Sequence, residues 1–217
     1  MNYAKARLVG YTQPTEEFKN DFDNVKDLIA FCAKVSNPSN QLNTKTTNGL
    51  IKYLIEHKHW SPFEMASATI ELETTRDIAR QLLRHRSFSF QEFSQRYADP
   101  TKDLSFILRD ARLQDSKNRQ NSIETDDMEL DREWKEKQSQ IITMVKDAYT
   151  WAIEHNIAKE QARVVLPEGM MMSKLYINGT IRSYIHYIEL RRANGTQKEH
   201  IELAVEIGKA INRIFPL

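Results

Sequence analysis

Between residues 66 and 83 the hydrophobic period changes once, and the change constrains the fold more than any other feature. Ala66, Ala68, Ile70 and Leu72 alternate with Ser67, Thr69, Glu71 and Glu73, the two-residue period of a half-buried strand. Ile78, Ala79, Leu82 and Leu83 then recur at helical spacing, with Thr74 or Thr75 placed to cap the helix. A strand running straight into an amphipathic helix requires a core built from both. Another face of that helix carries Arg76, Arg80 and Arg84 at intervals of four. It leads into the stretch Arg84-His85-Arg86-Ser87-Phe88-Ser89-Phe90-Gln91-Glu92-Phe93-Ser94-Gln95-Arg96-Tyr97.

The remaining pattern is mostly helical. Phe22, Val25, Leu28, Ile29, Cys32 and Val35 predict a helix with Cys32 on its apolar stripe, and Leu50, Tyr53, Leu54 and His57 a second. The polar run from Asn37 to Asn48 lies between them as a loop. His59 to Glu64 breaks the second helix, because a residue before proline avoids the helical region. Leu104 to Leu108 reads as a short strand and Lys117 to Asp127 as an exposed loop. A long helix follows, with Leu130, Trp134, Ile141, Ile142, Val145, Ala148, Tyr149, Ala152 and Ile153 on its buried side. Ala158 to Leu166 is helical up to Pro167, and Met170 to Ile177 is extended. Asn178-Gly179-Thr180 reads as a turn into a helix from Ile181 to Leu190. Asn194-Gly195 ends that segment, and Thr196-Gln197-Lys198-Glu199 resembles a capping box for the last helix. With no repeat or linker, residues 1–217 are expected to form a single α/β domain of the α+β type, a central mixed or antiparallel sheet flanked by long helices.

Composition narrows the class. Forty per cent hydrophobic and 28% charged residues belong to a globular chain, and a net charge of +1 argues against a general nucleic-acid binder. A single cysteine permits no intramolecular disulfide and no cysteine-rich metal site, so no metal is expected. The stretch from Met1 to Gly10 lacks the apolar run of a secretory signal, and no apolar run approaches the ~20 residues of a membrane span. The expectation is a cytoplasmic protein without a membrane or nucleic-acid partner.

The stretch from Arg84 to Tyr97 concentrates Arg84, Arg86 and Arg96 with Ser87, Ser89, Ser94 and Glu92. Guanidinium forks take phosphate oxygens in pairs, and hydroxyls fill the remaining positions. A solvated basic loop paired with nearby carboxylates would have the same composition. The six glycines are scattered and form neither a dinucleotide fingerprint nor a P-loop, so phosphates would have to be held by side chains.

Arg84-His85-Arg86 followed by Ser89, Glu92, Ser94, Arg96 and Tyr97 resembles the signature of the flavin-dependent thymidylate synthases. His59, Ser61 to Glu64, the helix through Gln81, Ala162 to Pro167 and Thr180 to Arg191 resemble further landmarks of that family. The resemblance covers most of the chain from Tyr53 onward. It implies methylation of dUMP to dTMP, with methylenetetrahydrofolate as carbon donor and NADPH-reduced FAD as hydride carrier. It also implies a mixed α/β core and a homotetramer with sites between subunits.

Carried over residue by residue, the resemblance assigns Ser61, Arg84, His85, Arg86, Glu92, Thr180, Arg182 and His186 to FAD. Thr180 and His186 stand where some relatives carry asparagine. It assigns Gln81, Arg84, Glu92, Phe93, Ser94, Gln95, Arg96, Arg163 and Arg191 to dUMP, with Ser94 and Arg96 on the phosphate. Arg191 and His59 are the implied catalytic residues. Arg191 would draw negative charge onto the uracil ring, and His59 would position folate or relay a proton. Cys32, expected on a helix core, is badly placed for the cysteine attack of the other type of thymidylate synthase.

Helical geometry adds one expectation. Arg182 and His186 share a face, whereas Arg191, nine residues past Arg182, points to roughly the opposite side at ~100° per residue. One helix would then serve two pockets, and the active site would draw on several subunits. The competing readings are a nucleotide- or RNA-binding module that meets phosphates with its arginines and a nucleotide phosphate hydrolase. The hydrolase is disfavoured by the lack of a clustered Asp/His motif.

Overall fold

The computed structural model describes residues 3–216. Met1 and Asn2, which open the stretch searched above for a leader, and Leu217 lie outside it. The elements are β1 (Lys5–Tyr11), α1 (Val25–Ala33), α2 (Thr47–Glu56), β2 (Ser67–Thr75), α3 (Arg76–Leu82), β3 (Ser89–Glu92), α4 (Pro100–Asp103), β4 (Arg112–Gln114), β5 (Ser122–Glu124), α5 (Met128–Glu154), α6 (Lys159–Ala162), β6 (Met172–Thr180), α7 (Ile181–Arg192) and α8 (Lys198–Asn212). The main sheet has the order β1-β2-β6-β3. Every neighbouring pair in it is antiparallel.

The period-two alternation of β2 buries Ala68, Ile70 and Leu72 on the inner face. Ile70 and Leu72 lie opposite Ile177 and Leu175 of β6, so four branched side chains meet across one ladder. Helix α8 closes this face from β1 to α7 and contributes the buried Leu203, Ala204 and Ile207. Burial of such side chains is worth roughly 1.5–3 kcal/mol each. On the outer face Glu71 is held by Arg7 at 2.9 Å and by the Tyr176 hydroxyl at 2.7 Å. A second, smaller cluster joins Tyr149 and Ala152 of α5 to Ala162, Leu166 and Met171.

Several expectations are corrected. Asn178-Gly179-Thr180 is not a turn but the end of β6, paired with Ser67 to Thr69. Its glycine serves a close approach: a Cβ at Gly179 would lie 2.3 Å from Cδ1 of Phe88. Residues 117–127 are not a plain loop, because β4 and β5 form a hairpin whose turn is organised by Asp115. Arg112 in that hairpin reaches Glu199 at 2.6 Å, and Lys198 pairs with Glu124. The strand expected over 104–108 reduces to one bridge between Phe106 and Met171. Strand β1 was not foreseen.

Helix boundaries shift as well. Helix α3 stops at Leu82, which leaves Arg84 outside it. Thr75 stands at the N-cap, but its hydroxyl binds Asp77 at 2.6 Å instead of a backbone N–H. The N-cap of α8 is Gln197, and no side-chain cap forms, so the expected capping box is absent. Phe22 precedes α1, and Val35 follows it and is 68% exposed. Cys32 is only half-buried. The apolar side of α5 is largely uncovered: Gln138, Tyr149 and Ala152 are its buried residues, whereas Trp134 and Ile141 remain over 40% exposed.

Phe88 is buried among Phe90, Tyr184 and Tyr187, so its ring has little room to retreat. Gly179→Ala is expected to destabilise the fold by about 1–3 kcal/mol, read as a lower urea midpoint. An unchanged midpoint would show that the ring moves freely.

Candidate functional site

Helix α7 starts where β6 ends, with the Thr180 hydroxyl accepting from the Ser183 N–H at 3.2 Å. As its spacing predicts, its two faces meet different neighbours. Arg182 donates to Glu64 at 2.6 Å, and His186 meets Trp60 edge-on at 4.5 Å between ring centres. Farther along, Arg191 Nε donates to Nε2 of His85 at 2.8 Å.

The turn from Ser61 to Glu64 that faces Arg182 follows a defined helix end. Lys58 takes a left-handed conformation (φ 58°) after α2. The N–H of His59 bonds to the Leu54 carbonyl and that of Lys58 to the Ile55 carbonyl, the two bonds of a Schellman motif. His57 stacks on Tyr53 and its Nδ1 lies 2.9 Å from the Tyr53 carbonyl. The exposed His59 ring meets Tyr53 edge-on at 6.0 Å and His57 at a tilt at 6.2 Å between ring centres. Of the two histidines, His59 has the freer ring.

Around Arg191 lies a compact polar group. Burial, followed by the charges of Arg191 and Arg84, lowers the pKa of His85, so its Nε2 is a neutral acceptor for Arg191. The His85 ring stands edge-on to Tyr187 at 5.0 Å. Tyr187 in turn meets Nε2 of the fully buried His200 at 3.1 Å. His200 Nδ1 is 3.1 Å from the Gln81 carbonyl oxygen, and Gln81 donates to Gln197 at 2.8 Å. Gln81 therefore turns inward, while Arg84 is exposed beyond the end of α3, so the two do not share a helical face.

The rest of the motif leads elsewhere. Strand β3 pairs with β6 and carries the chain about 10 Å along the sheet edge before Glu92. Glu92 sits between Arg76 at 3.4 Å and Arg80 at 3.2 Å and accepts from Ser173 at 2.9 Å. Beside it opens a cleft of about 480 Å³ lined by Arg76, Arg80, Gln95, Arg163 and Glu168. Gln95 is buried, Phe93 and Ser94 are half-buried, and Arg96 pairs loosely with Glu160 at 3.4 Å. In one chain the candidate residues thus form three groups: Ser61, Thr180, Arg182 and His186 near His59; Gln81, His85 and Arg191; and Glu92 to Arg96 with Arg163.

Charge pairing separates the arginines. Arg76, Arg80, Arg109 and Arg112 are neutralised by Glu92, Glu168, Asp77 and Glu199. Arg84, Arg86, Arg163 and Arg191 form no ion pair with a carboxylate among the described residues, as is also true of the exposed Arg119, Arg192 and Arg213. Arg191 differs from these last three in being half-buried and anchored. Sequence reasoning missed the roles of Arg76, Arg80 and Glu168 in the cleft, although the interval of four was visible. It also missed Tyr187, Gln197, Glu199 and His200, whose polarity at a helix start reads as capping.

Burial, then Arg191 and His85, push the His200 pKa down to about 3. Unfolding releases it to the ordinary value of about 6.5, so between these limits the unfolded chain binds the extra proton. Its contribution is whole above about pH 6.5 and declines by up to about 1.4 kcal/mol per pH unit below. In chemical denaturation the stability lead of the wild type over His200→Asn is expected to shrink as pH falls from 6.5 to 4.5. A constant lead would refute the neutral buried histidine.

A model of the Thy1 family, described as thymidylate synthase complementing protein, matches residues 19–217. A probable flavin-dependent thymidylate synthase of Paramecium bursaria Chlorella virus 1 is 48% identical over 97% of this chain and 95% of its own length. A flavin-dependent thymidylate synthase of Synechocystis sp. is 41% identical over the same shares. A UMP/dUMP methylase from Streptomyces cacaoi, crystallised with 5-Br dUMP, has the same fold (TM-score 0.79, 24% identity, 97% of this chain and 90% of that one). The chain belongs to the Thy1 family of thymidylate synthase complementing proteins.

Proposed function

We propose that the protein is a flavin-dependent thymidylate synthase, residues 1–217 acting as one catalytic domain. It converts dUMP, methylenetetrahydrofolate, NADPH and a proton into dTMP, tetrahydrofolate and NADP⁺. Family membership and the 48% and 41% identical relatives support the activity. The observation that carries the site reading is the set of arginines left without carboxylates, with Arg191 gripped instead by a neutral histidine.

The residues present suit a flavin dinucleotide. Arg84 and Arg86 are exposed cations, Ser61 and Thr180 add hydroxyls, and Trp60 with His186 brings two rings together edge-on. In this reading His85, Glu92 and Arg182 complete the set. When bound and reduced by NADPH, FAD supplies the hydride. Glu92, Phe93, Ser94, Gln95, Arg96 and Arg163 hold dUMP, Ser94 and Arg96 taking its phosphate. The loose Arg96–Glu160 pair is readily exchanged for a phosphate, because exposed pairs are worth only about 0–1 kcal/mol. Gln81, Arg84 and Arg191 face the base.

Uracil C5 is a weak nucleophile until charge moves onto the ring oxygens or N3. Arg191 stabilises that charge as a fixed cation, without a proton transfer. Its Nε is spent on His85, which leaves the two terminal amino groups for the ring. His59, with a free ring at the mouth of the turn, positions folate or relays a proton. Burial raises the Cys32 thiol, so it is a poor nucleophile, and the proposed route needs none.

The three groups of residues, and the uncovered apolar side of α5, support a homotetramer whose sites combine residues from different subunits. No helix among the described residues is long and apolar enough to cross a membrane, and a cytoplasmic location is the expectation.

Purified protein given NADPH, dUMP and methylenetetrahydrofolate is expected to form dTMP. Arg191→Ala should lower kcat by about a hundred- to a thousandfold while leaving bound FAD reducible by NADPH. Bound, reducible FAD with no dTMP from the wild type would defeat the reaction but not the flavin assignment. Random mixing of Arg191→Ala and Arg96→Ala subunits should restore about a quarter of the wild-type activity if each site uses two chains. Exchanged oligomers with no recovery would overturn the shared site.

A further inference from the structure

A line of hydrogen bonds runs under the Arg191 group; these bonds involve none of the residues assigned to FAD, and His200 meets the His85 ring only edge-on, at 6.4 Å between centres. Glu199 and His200 are buried at the start of α8, and Gln197 stands at its N-cap position. Arg112 meets both Glu199 carboxylate oxygens, at 2.6 and 2.9 Å. Burial alone would raise the Glu199 pKa, but its own N–H, Arg112 and Gln197 together hold it below the usual carboxylate range. An ionised carboxylate only accepts.

That one constraint orders the rest. Gln197 directs its amino group to Glu199 at 2.9 Å, so its carbonyl oxygen faces Gln81. Gln81 must then donate to Gln197 and turn its own oxygen to His200. His200 Nδ1 has to carry the proton, which leaves Nε2 to accept from the Tyr187 hydroxyl. Glutamine amide ends are nearly isosteric and flip readily in isolation. Here a flip at Gln81 would set amino group against N–H at one end and oxygen against oxygen at the other.

We infer that Gln197, Glu199 and His200 are positioning residues that fix the orientation of the Gln81 amide, so that its remaining N–H is offered to a carbonyl oxygen of a pyrimidine ring. The inference rests on the reading of Gln81 as a dUMP contact. The acceptor assigned is the 4-carbonyl oxygen, which gives the contact a specificity: uracil presents an acceptor at that position and cytosine an amino group, whereas the 2-carbonyl is common to both. Glu199 and Arg112 supply the direction from outside the pocket, through the β4–β5 hairpin.

The test uses the FAD-loaded oligomer and direct calorimetric binding of dUMP and dCMP, with flavin content and melting temperature followed in parallel. Gln81→Met, Gln197→Met and His200→Leu are each expected to raise the dUMP dissociation constant about tenfold, one lost oriented hydrogen bond. They should narrow the preference over dCMP while flavin content stays unchanged. His200→Asn, which keeps a donor near Nδ1, should bind dUMP within about threefold of wild type, although Leu is the better filler of an apolar space. If Gln81→Met weakens binding but Gln197→Met and His200→Leu do not, the positioning role is overturned. Equal losses in the Asn and Leu variants, following melting temperature, would overturn it as well. If Gln81→Met binds dUMP normally, the substrate reading of Gln81 has failed and the inference falls with it.

Discussion

The nine-residue antiparallel ladder between β2 and β6 is the constraint on which the rest depends. It opposes Ser67 to Thr180 at one end and Thr75 to Met172 at the other. Helix α3 springs from the second end and α7 from the first, so the two leave the sheet at opposite ends of its central strands. Only because α7 runs back for twelve residues does Arg191 meet His85, just past the end of α3. A one-residue slip would turn Ile70 and Leu72 outward and rotate both helices away from each other.

Two populations of arginine share this frame. Those near the sheet are spent on structure: Arg76 is almost buried and Arg109 grips Asp77 with both amino groups. Removing either partner would strand a charge, which costs far more than the pair is worth. Arg84, Arg86 and Arg191 are supported by neutral groups or by nothing among the described residues, whereas Arg96 and Arg182 hold Glu160 and Glu64. A neutral support such as His85 orients a guanidinium without neutralising it, and this distinguishes a poised cation from a structural one.

The strongly periodic elements were legible because their burial is one-sided. The alternation of β2 and the helical spacing of α3 and α7 are written in residues that face a single core. The opposite faces of α7, with Arg182 and His186 on one and Arg191 on the other, followed from helical angle alone. Where reading failed, a distant partner decided the outcome. Gly179 looked like a turn because the Phe88 ring that lies against it is 91 residues away in sequence. The β4–β5 hairpin has three residues per strand and only Leu113 opposite Ile123, both about half exposed, too short a pattern to read, yet Arg112 ties it to Glu199. Thr196 and Glu199 carried the spacing of a capping box, and only the fold reveals that Glu199 holds Arg112 and Gln197 instead, with Gln197 reaching on to Gln81.

On the proposed function, the unpartnered arginines also tie the protein's lifetime to its supply of ligands. Until an anion arrives, like charges on the motif and on α7 face one another or water. A ligand that binds only the folded state adds RT ln(1 + [L]/Kd), about 2.7 kcal/mol at a hundredfold excess over Kd. That is a large part of the margin that keeps an ordinary domain folded. On the proposed reading of these guanidiniums as ligand contacts, they therefore also act as a gauge. When those compounds run short, the empty protein is the form that opens first and is cleared first.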